Sequence, residues 1–155
     1  MEIIVHSSSE NVKTRVHNVA MFYAALIRLQ RFTSTVNIRQ MRGLYKNIGA
    51  YGQTNDISHM GGGVEVLLDA NLPFSQLLST LAHEMVHVKQ ILCGLLKTEI
   101  ITTTDAAGNR GLEQRLYWKG QDMTHLDYLD RPWEKQAFSK ESIMVRHLNE
   151  FLTES

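Results

Sequence analysis

Apolar residues recur at spacings of three and four across residues 75–93 (SQLLSTLAHEMVHVKQILC), where Leu77, Leu78, Leu81, Met85, Val88 and Leu92 share one face. That is the period of an amphipathic helix. Asn71 or Ser75 can cap its start, with Pro73 just upstream, and Gly94 suits the left-handed position past its end. A second stripe of the same period runs through Trp133, Ala137, Met144, Val145, Leu148 and Leu152. It predicts a helix that tolerates Pro132 in its first turn and takes Asp130 as cap. Near the start, Val12, Val16, Val19, Tyr23, Leu26 and Ile27 mark a third helix, with Ser7 and Glu10 as a capping box.

Strands are read from shorter runs. Glu2–His6 is rich in β-formers, Thr35–Met41 alternates around Val36 and Ile38, and 47–53 reads as a strand after a turn at Gly43. Residues 64–68 form another, ending at Asp69 just before the central helix. The stretch 54–63, with Gly61, Gly62 and Gly63, is read as a loop, and so is the long region between Gly94 and the last helix. The expectation is an α+β fold in one domain spanning 1–155: N-terminal helix, small mixed sheet with an edge strand, central helix and C-terminal helix. Neither repeats nor low-complexity linkers break it.

Composition narrows the class. Hydrophobic content of 43% and charge of 21% are ordinary for a globular protein, and no apolar run approaches a membrane span. The start MEIIVHSSSE lacks the layout of a signal peptide, and one Cys precludes an internal disulfide framework. A cytoplasmic location is therefore expected. Net charge is +0, yet seven of the 16 Lys/Arg fall within residues 1–50 against two acids there. Arg28, Arg31, Arg39, Arg42 and Lys46 could form a basic face for nucleic acid. Arg28 and Arg31, three apart, would share one helix face.

Candidate chemistry lies on the central helix. His83 and His87 are four residues apart, so both imidazoles leave one face, close enough to hold one metal ion. Glu84 lies on the flank of that face, placed for a water rather than for the metal. A single histidine on an apolar helix is ordinarily a core residue; two with a Glu between them are costly to bury without a metal. The HExxH spacing is that of zinc peptidases, with the Glu as general base. A catalytic zinc takes three protein ligands. Glu134, in the first turn of the last helix with the small Ala137 one turn on, is the leading third ligand. His125, Asp127, Asp130 and Glu141 are rivals. Cys93, six residues past His87, points away from the pair and reads as a small buried apolar residue. His6, His17, His59 and His147 have no role assigned.

With His83, Glu84, His87 and Glu134 taken together, the chain resembles the gluzincin branch of the zincin metallopeptidases. It looks most like small SprT-like and phage or bacterial metallopeptidases. The resembling segments are AHEMVHVKQ at 82–90, YWKG at 117–120, and Tyr128 through RPWEKQA at 131–137. The resemblance implies one zinc ion on His83, His87 and Glu134, Glu84 as base, and a protein or peptide substrate. Such chains often carry an acidic residue where Gln136 stands, and commonly add a four-Cys zinc ribbon that a single Cys excludes. Without the ribbon, nucleic-acid binding is expected to be weak or absent. Tyr117, His125, Tyr128 and Arg131 are candidates to stabilise an oxyanion. The strand at 64–68 is a candidate edge strand for pairing with an extended peptide. The competing expectation is a zincin-shaped binding or assembly protein with little turnover.

Overall fold

Four short strands make the larger sheet: β1 (Glu2–His6), β2 (Thr35–Met41), β3 (Gly52–Asp56) and β4 (Val64–Asp69). The computed structural model, which describes residues 1–154, orders them β1-β2-β4-β3. β1, β2 and β4 are parallel, and β3 is antiparallel to β4 at the edge. The register stacks Ile3, Val36 and Val64 in one row and Val5, Ile38 and Val66 in the next. All six are buried, because alternate residues of a strand share a face.

Helices α1 (Glu10–Leu26), α3 (Phe74–Leu92) and α4 (Pro132–Glu154) complete the core with the sheet. α1 begins at Ser9, whose hydroxyl accepts from the Val12 amide; Ser7 instead accepts from the Ser9 amide, so the expected Ser7–Glu10 capping box does not form. The Tyr23 hydroxyl donates to the Leu78 carbonyl at 3.1 Å, joining α1 to α3 within the core. α3 has no side-chain cap: Pro73 is its N-cap residue, neither Asn71 nor Ser75 serving. Its other end follows the sequence. Gly94 adopts φ +73, its amide donates to Ile91 O and that of Leu95 to Gln90 O, the paired bonds that close a helix with glycine past the end.

Two segments depart from expectation. Residues 47–53 are not a strand: Leu44–Ile48 form the short helix α2, bounded by Gly43 and Gly49, both left-handed, and β3 follows at Gly52. The region expected as loop after Gly94 holds a long hairpin, β5 (Leu96–Thr104) with β6 (Arg110–Trp118), extended by β7 (Gln121–Asp122). Its turn is organised by Asp105, whose Oδ1 accepts from the amides of Ala107 and Asn109 at 2.9 and 2.8 Å. The fold class, α+β with an N-terminal and a C-terminal helix, is as expected. Among the described residues no helix is long and apolar enough to cross a membrane.

Candidate metal centre

α3 carries His83 and His87 to the middle of the molecule, and α4 brings Glu134 against them in its first turn. Ala137, fully buried one turn on, leaves room for the two helices to approach. Glu134 Oε1 lies 2.6 Å from His87 Nε2 and 3.2 Å from His83 Nε2. One donor atom from each of the three residues falls within 4.8 Å of the others, a group able to hold a metal ion. His83, His87 and Glu134 are all shielded from solvent. The rivals are not in this group: His125, Asp127 and Asp130 are exposed on the segment leading to α4.

The outer nitrogens of both imidazoles are occupied. His83 Nδ1 meets Glu141 Oε2 at 2.7 Å, so Glu141, one of the expected rivals, is instead a hydrogen-bond partner behind His83. His87 Nδ1 meets Gln90 Oε1 at 2.7 Å, while Gln90 Nε2 donates to the Trp133 carbonyl at 3.0 Å and to Gln136 Oε1 at 2.9 Å. Because the Gln90 amide nitrogen has two acceptors, its oxygen must face His87. Nδ1 of each histidine therefore carries the hydrogen, and Nε2 is the nitrogen turned towards Glu134. Gln136 thus reaches His87 only through Gln90, whose amide it orients. Gln90 was missed in the sequence; its signal was a glutamine three residues past His87 on the buried side of a helix.

Without metal the cluster is a proton-sharing network. Burial opposes charge on His83, but the hydrogen bonds to Glu134 and Glu141 prevail and raise its pKa to about 9. Burial likewise opposes ionisation of Glu134, and the hydrogen bonds from His83 and His87 overcome it, bringing the carboxyl down to about 2. Glu84 behaves differently. Burial pushes its carboxyl up, against the pull of His87 and His83.

Glu84 is held from above by the sheet edge. Thr54 Oγ1 donates to Glu84 Oε2 at 3.0 Å and to its carbonyl at 3.3 Å. Gly52 lies so close that a Cβ there would sit 2.8 Å from Glu84 Cγ and from Thr80 Cγ2. The edge strand beside the site is thus β3, not 64–68, which as β4 is interior to the sheet. Thr54, within a stretch expected to be loop, was not foreseen.

An open groove of about 630 Å³ runs between β3 and the β5–β6 hairpin, with Glu84, His87 and Glu134 on its walls. Thr98 and Ile100 of β5 line it opposite Leu116 and Gln114 of β6, one face of the hairpin. A second hollow of about 560 Å³ continues past Gly52, Glu84 and Tyr128 towards Tyr45, Ile48 and Phe138. Of the four oxyanion candidates, Tyr128 and Arg131 line the groove, and Tyr117 and His125 do not. Burial, and then the Glu134 carboxylate, push the Tyr128 hydroxyl above the ordinary tyrosine range.

Three other placements differ from expectation. Cys93 is exposed, 3.7 Å from an Arg31 guanidinium nitrogen. Arg28 and Arg31 do not share a helix: α1 ends at Leu26, Arg28 adopts φ +60, and Arg31 belongs to a separate 3₁₀ turn. Arg39 pairs with Glu65 at 3.5 Å. No protein-family model, curated protein or solved structure matches the chain.

Proposed function

We propose that the protein is a zinc-dependent metallopeptidase of the zincin type, cleaving peptide segments laid along β3. The observation that carries the reading is the convergence of His83, His87 and Glu134 beside a buried Glu84 under an open strand edge. Two imidazole nitrogens and one carboxylate oxygen are a catalytic zinc donor set, and the hydrogens on Nδ1 leave the inner nitrogens as ligand atoms. When bound, zinc supplies Lewis-acid activation of a water and of a peptide carbonyl.

This chain's residues do the rest. The free backbone groups of β3 hold an extended peptide by strand addition, one outer edge being unpaired within the sheet. Glu84 takes a proton from the attacking water at its carboxylate, Thr54 holding Oε2, and passes it to the leaving amine. Burial, which raises the Glu84 pKa, makes it a stronger base than a solvated carboxylate. Tyr128, on the groove wall beside Glu134, is placed to donate to a developing oxyanion. A purely structural metal would need no buried carboxylate aimed at its edge, which favours the enzymatic reading over the assembly one.

The test is zinc content of the purified protein together with cleavage of quenched peptides by the parent and by Glu84→Gln. One zinc per chain in both, and cleavage by the parent alone, is the expected result. Equal cleavage by both proteins would remove Glu84 from the mechanism.

A further inference from the structure

The cleft does not end at the metal centre. Its second hollow, of about 560 Å³, opens where β3 begins and shares Gly52, Glu84 and Tyr128 with the groove. Tyr45, Ile48, Tyr51, Tyr128 and Phe138 line it, and all five are exposed large apolar side chains. Folded proteins seldom gather such surface in one place without a partner for it. The rings are ordered. Tyr45 and Tyr51 stack with centroids 4.3 Å apart and planes 9° off parallel, and Phe138 makes an edge contact with His83 at 4.6 Å.

Packing does not account for this gathering. α2 is held by its backbone and by Leu44, the residue of that helix that is buried. The Tyr45 amide donates to Asp69 Oδ2 at 2.9 Å, and Gly43 and Gly49 close both ends in the left-handed conformation. The side chains of Tyr45 and Ile48 take no part in that anchoring and line the hollow instead. Nor is the hollow a charged site. No lysine or arginine lines it, and its two carboxylates are engaged, Glu141 Oε2 with His83 and Glu84 Oε2 with Thr54. The groove along β3 is more mixed, with Gln53, Asn55, Glu65 and Gln114 among its walls. The aromatic surface of the cleft is thus concentrated at its α2 end.

We infer that this hollow takes an aromatic side chain of the substrate, with Tyr45, Ile48 and Tyr51 as its recognition wall, so that the segments cleaved carry Phe, Tyr or Trp beside the scissile bond. The inference rests on the peptidase reading of the metal centre. A peptide paired along β3 turns alternate side chains to opposite faces, and the one nearest Gly52 can pass Glu84 into the hollow. The volume is ample for one ring, and further rings are ready to meet it in offset or edge-on contact. Other side chains fit less well. Lysine or arginine would find the carboxylates already bonded, and an acidic side chain would meet them with no cation to answer it. Alanine would leave the ring surface uncovered.

The probes are fluorescein-labelled decapeptides of Ser, Thr and Gln with one central guest residue: Phe, Ala, Lys or Glu. Affinity is read by anisotropy on the full-length Glu84→Gln protein in the presence of zinc. The Phe guest should bind about tenfold or more tighter than the Ala guest, as burial of an aromatic side chain implies. Adding Tyr45→Asn and Ile48→Asn, both at exposed positions, should bring the Phe guest down to the level of the Ala guest. Lys13→Gln, on α1 and away from the cleft, should leave the ratio as it was. Equal affinity for the Phe and Ala guests, tighter binding of the Lys guest than of the Phe guest, or an undiminished ratio after the two Asn substitutions overturns the inference. The peptidase reading fails separately. A Phe preference that depends on Tyr45 and Ile48, without cleavage of any of these peptides by the parent, would sink hydrolysis and leave the subsite. Cleavage by the parent with no preference for the Phe guest would sink the subsite and leave hydrolysis.

Discussion

Glu84 and Gln90 sit on one helix, both buried, and are expected to fail in different ways when changed. Glu84→Gln keeps the size and the hydrogen bond from Thr54 but cannot accept the water's proton. Hydrolysis should fall by about 10²–10⁴, the usual contribution of a general base, with zinc content unchanged. Gln90→Leu should instead lower metal affinity by about 10–100-fold, because His87 loses the acceptor that sets its tautomer; competition with a chromogenic chelator measures it. Protonation offers a third distinction. In the metal-free protein the His83 pKa is raised from 6.5 to about 9, so its stabilisation is fully present below pH 6.5 and is lost as pH rises through 9. Thermal melts of chelated protein should drop across that window, whereas the zinc-loaded form should not, its imidazole being already deprotonated. That His83 and His87 leave α3 together, with Glu84 at their flank, was legible in the sequence because a helix converts spacing into direction. Gln90, Thr54 and the backing role of Glu141 were not: each depends on which element packs against α3, and spacing along the chain does not encode that.

The elements themselves were legible where one face is buried and the other is not. β1, β2, α1, α3 and α4 carry that contrast, and their periods located them to within a few residues. The β5–β6 hairpin lacks it. Ile100 and Leu112 are 68% and 78% exposed, so its apolar residues do not mark a face turned to the core, and no alternation towards a buried side appears. The edge position was misassigned for a related reason. β4 reads as apolar whether it lies inside a sheet or at its margin, and the antiparallel return of β3 is a pairing of distant segments. What lets β3 lie so close over Glu84 is Gly52. Gly52→Ala puts a methyl 2.8 Å from Glu84 Cγ and from Thr80 Cγ2, so strand and base must move apart. Activity should fall while zinc is retained, with about 1–3 kcal/mol lost in denaturant melts, the usual cost of overpacking. Unchanged kcat/KM in a folded Gly52→Ala protein would show that β3 does not position Glu84.

Across the whole molecule, the candidate metal centre ties two helices together as well as forming the proposed reaction site. His83 and His87 belong to the central helix, buried on almost every side, while Glu134 opens a helix reached only after the exposed hairpin and the 3₁₀ turn Tyr128–Asp130. The core holds α4 through Ala137, Met144 and Leu148, further along. Its first turn depends on contacts at the site, with Trp133 O accepting from Gln90 and Glu134 facing both histidines. A ligand that binds only the folded state stabilises it by RT ln(1 + [L]/Kd), about 4 kcal/mol at a thousandfold excess over Kd. Chelation should therefore lower Tm, but its local effect should be uneven. Hydrogen exchange ought to quicken in residues 128–137 and along the hairpin, and change little in β1, β2 and β4, whose burial owes nothing to the site. Uniform acceleration over the whole chain would mean instead that the metal holds up the entire fold, and then His87→Ala should not fold at all. Because α4 retains its apolar contacts without metal, the expected outcome is a folded, metal-free His87→Ala protein whose α4 N-terminus is loosened.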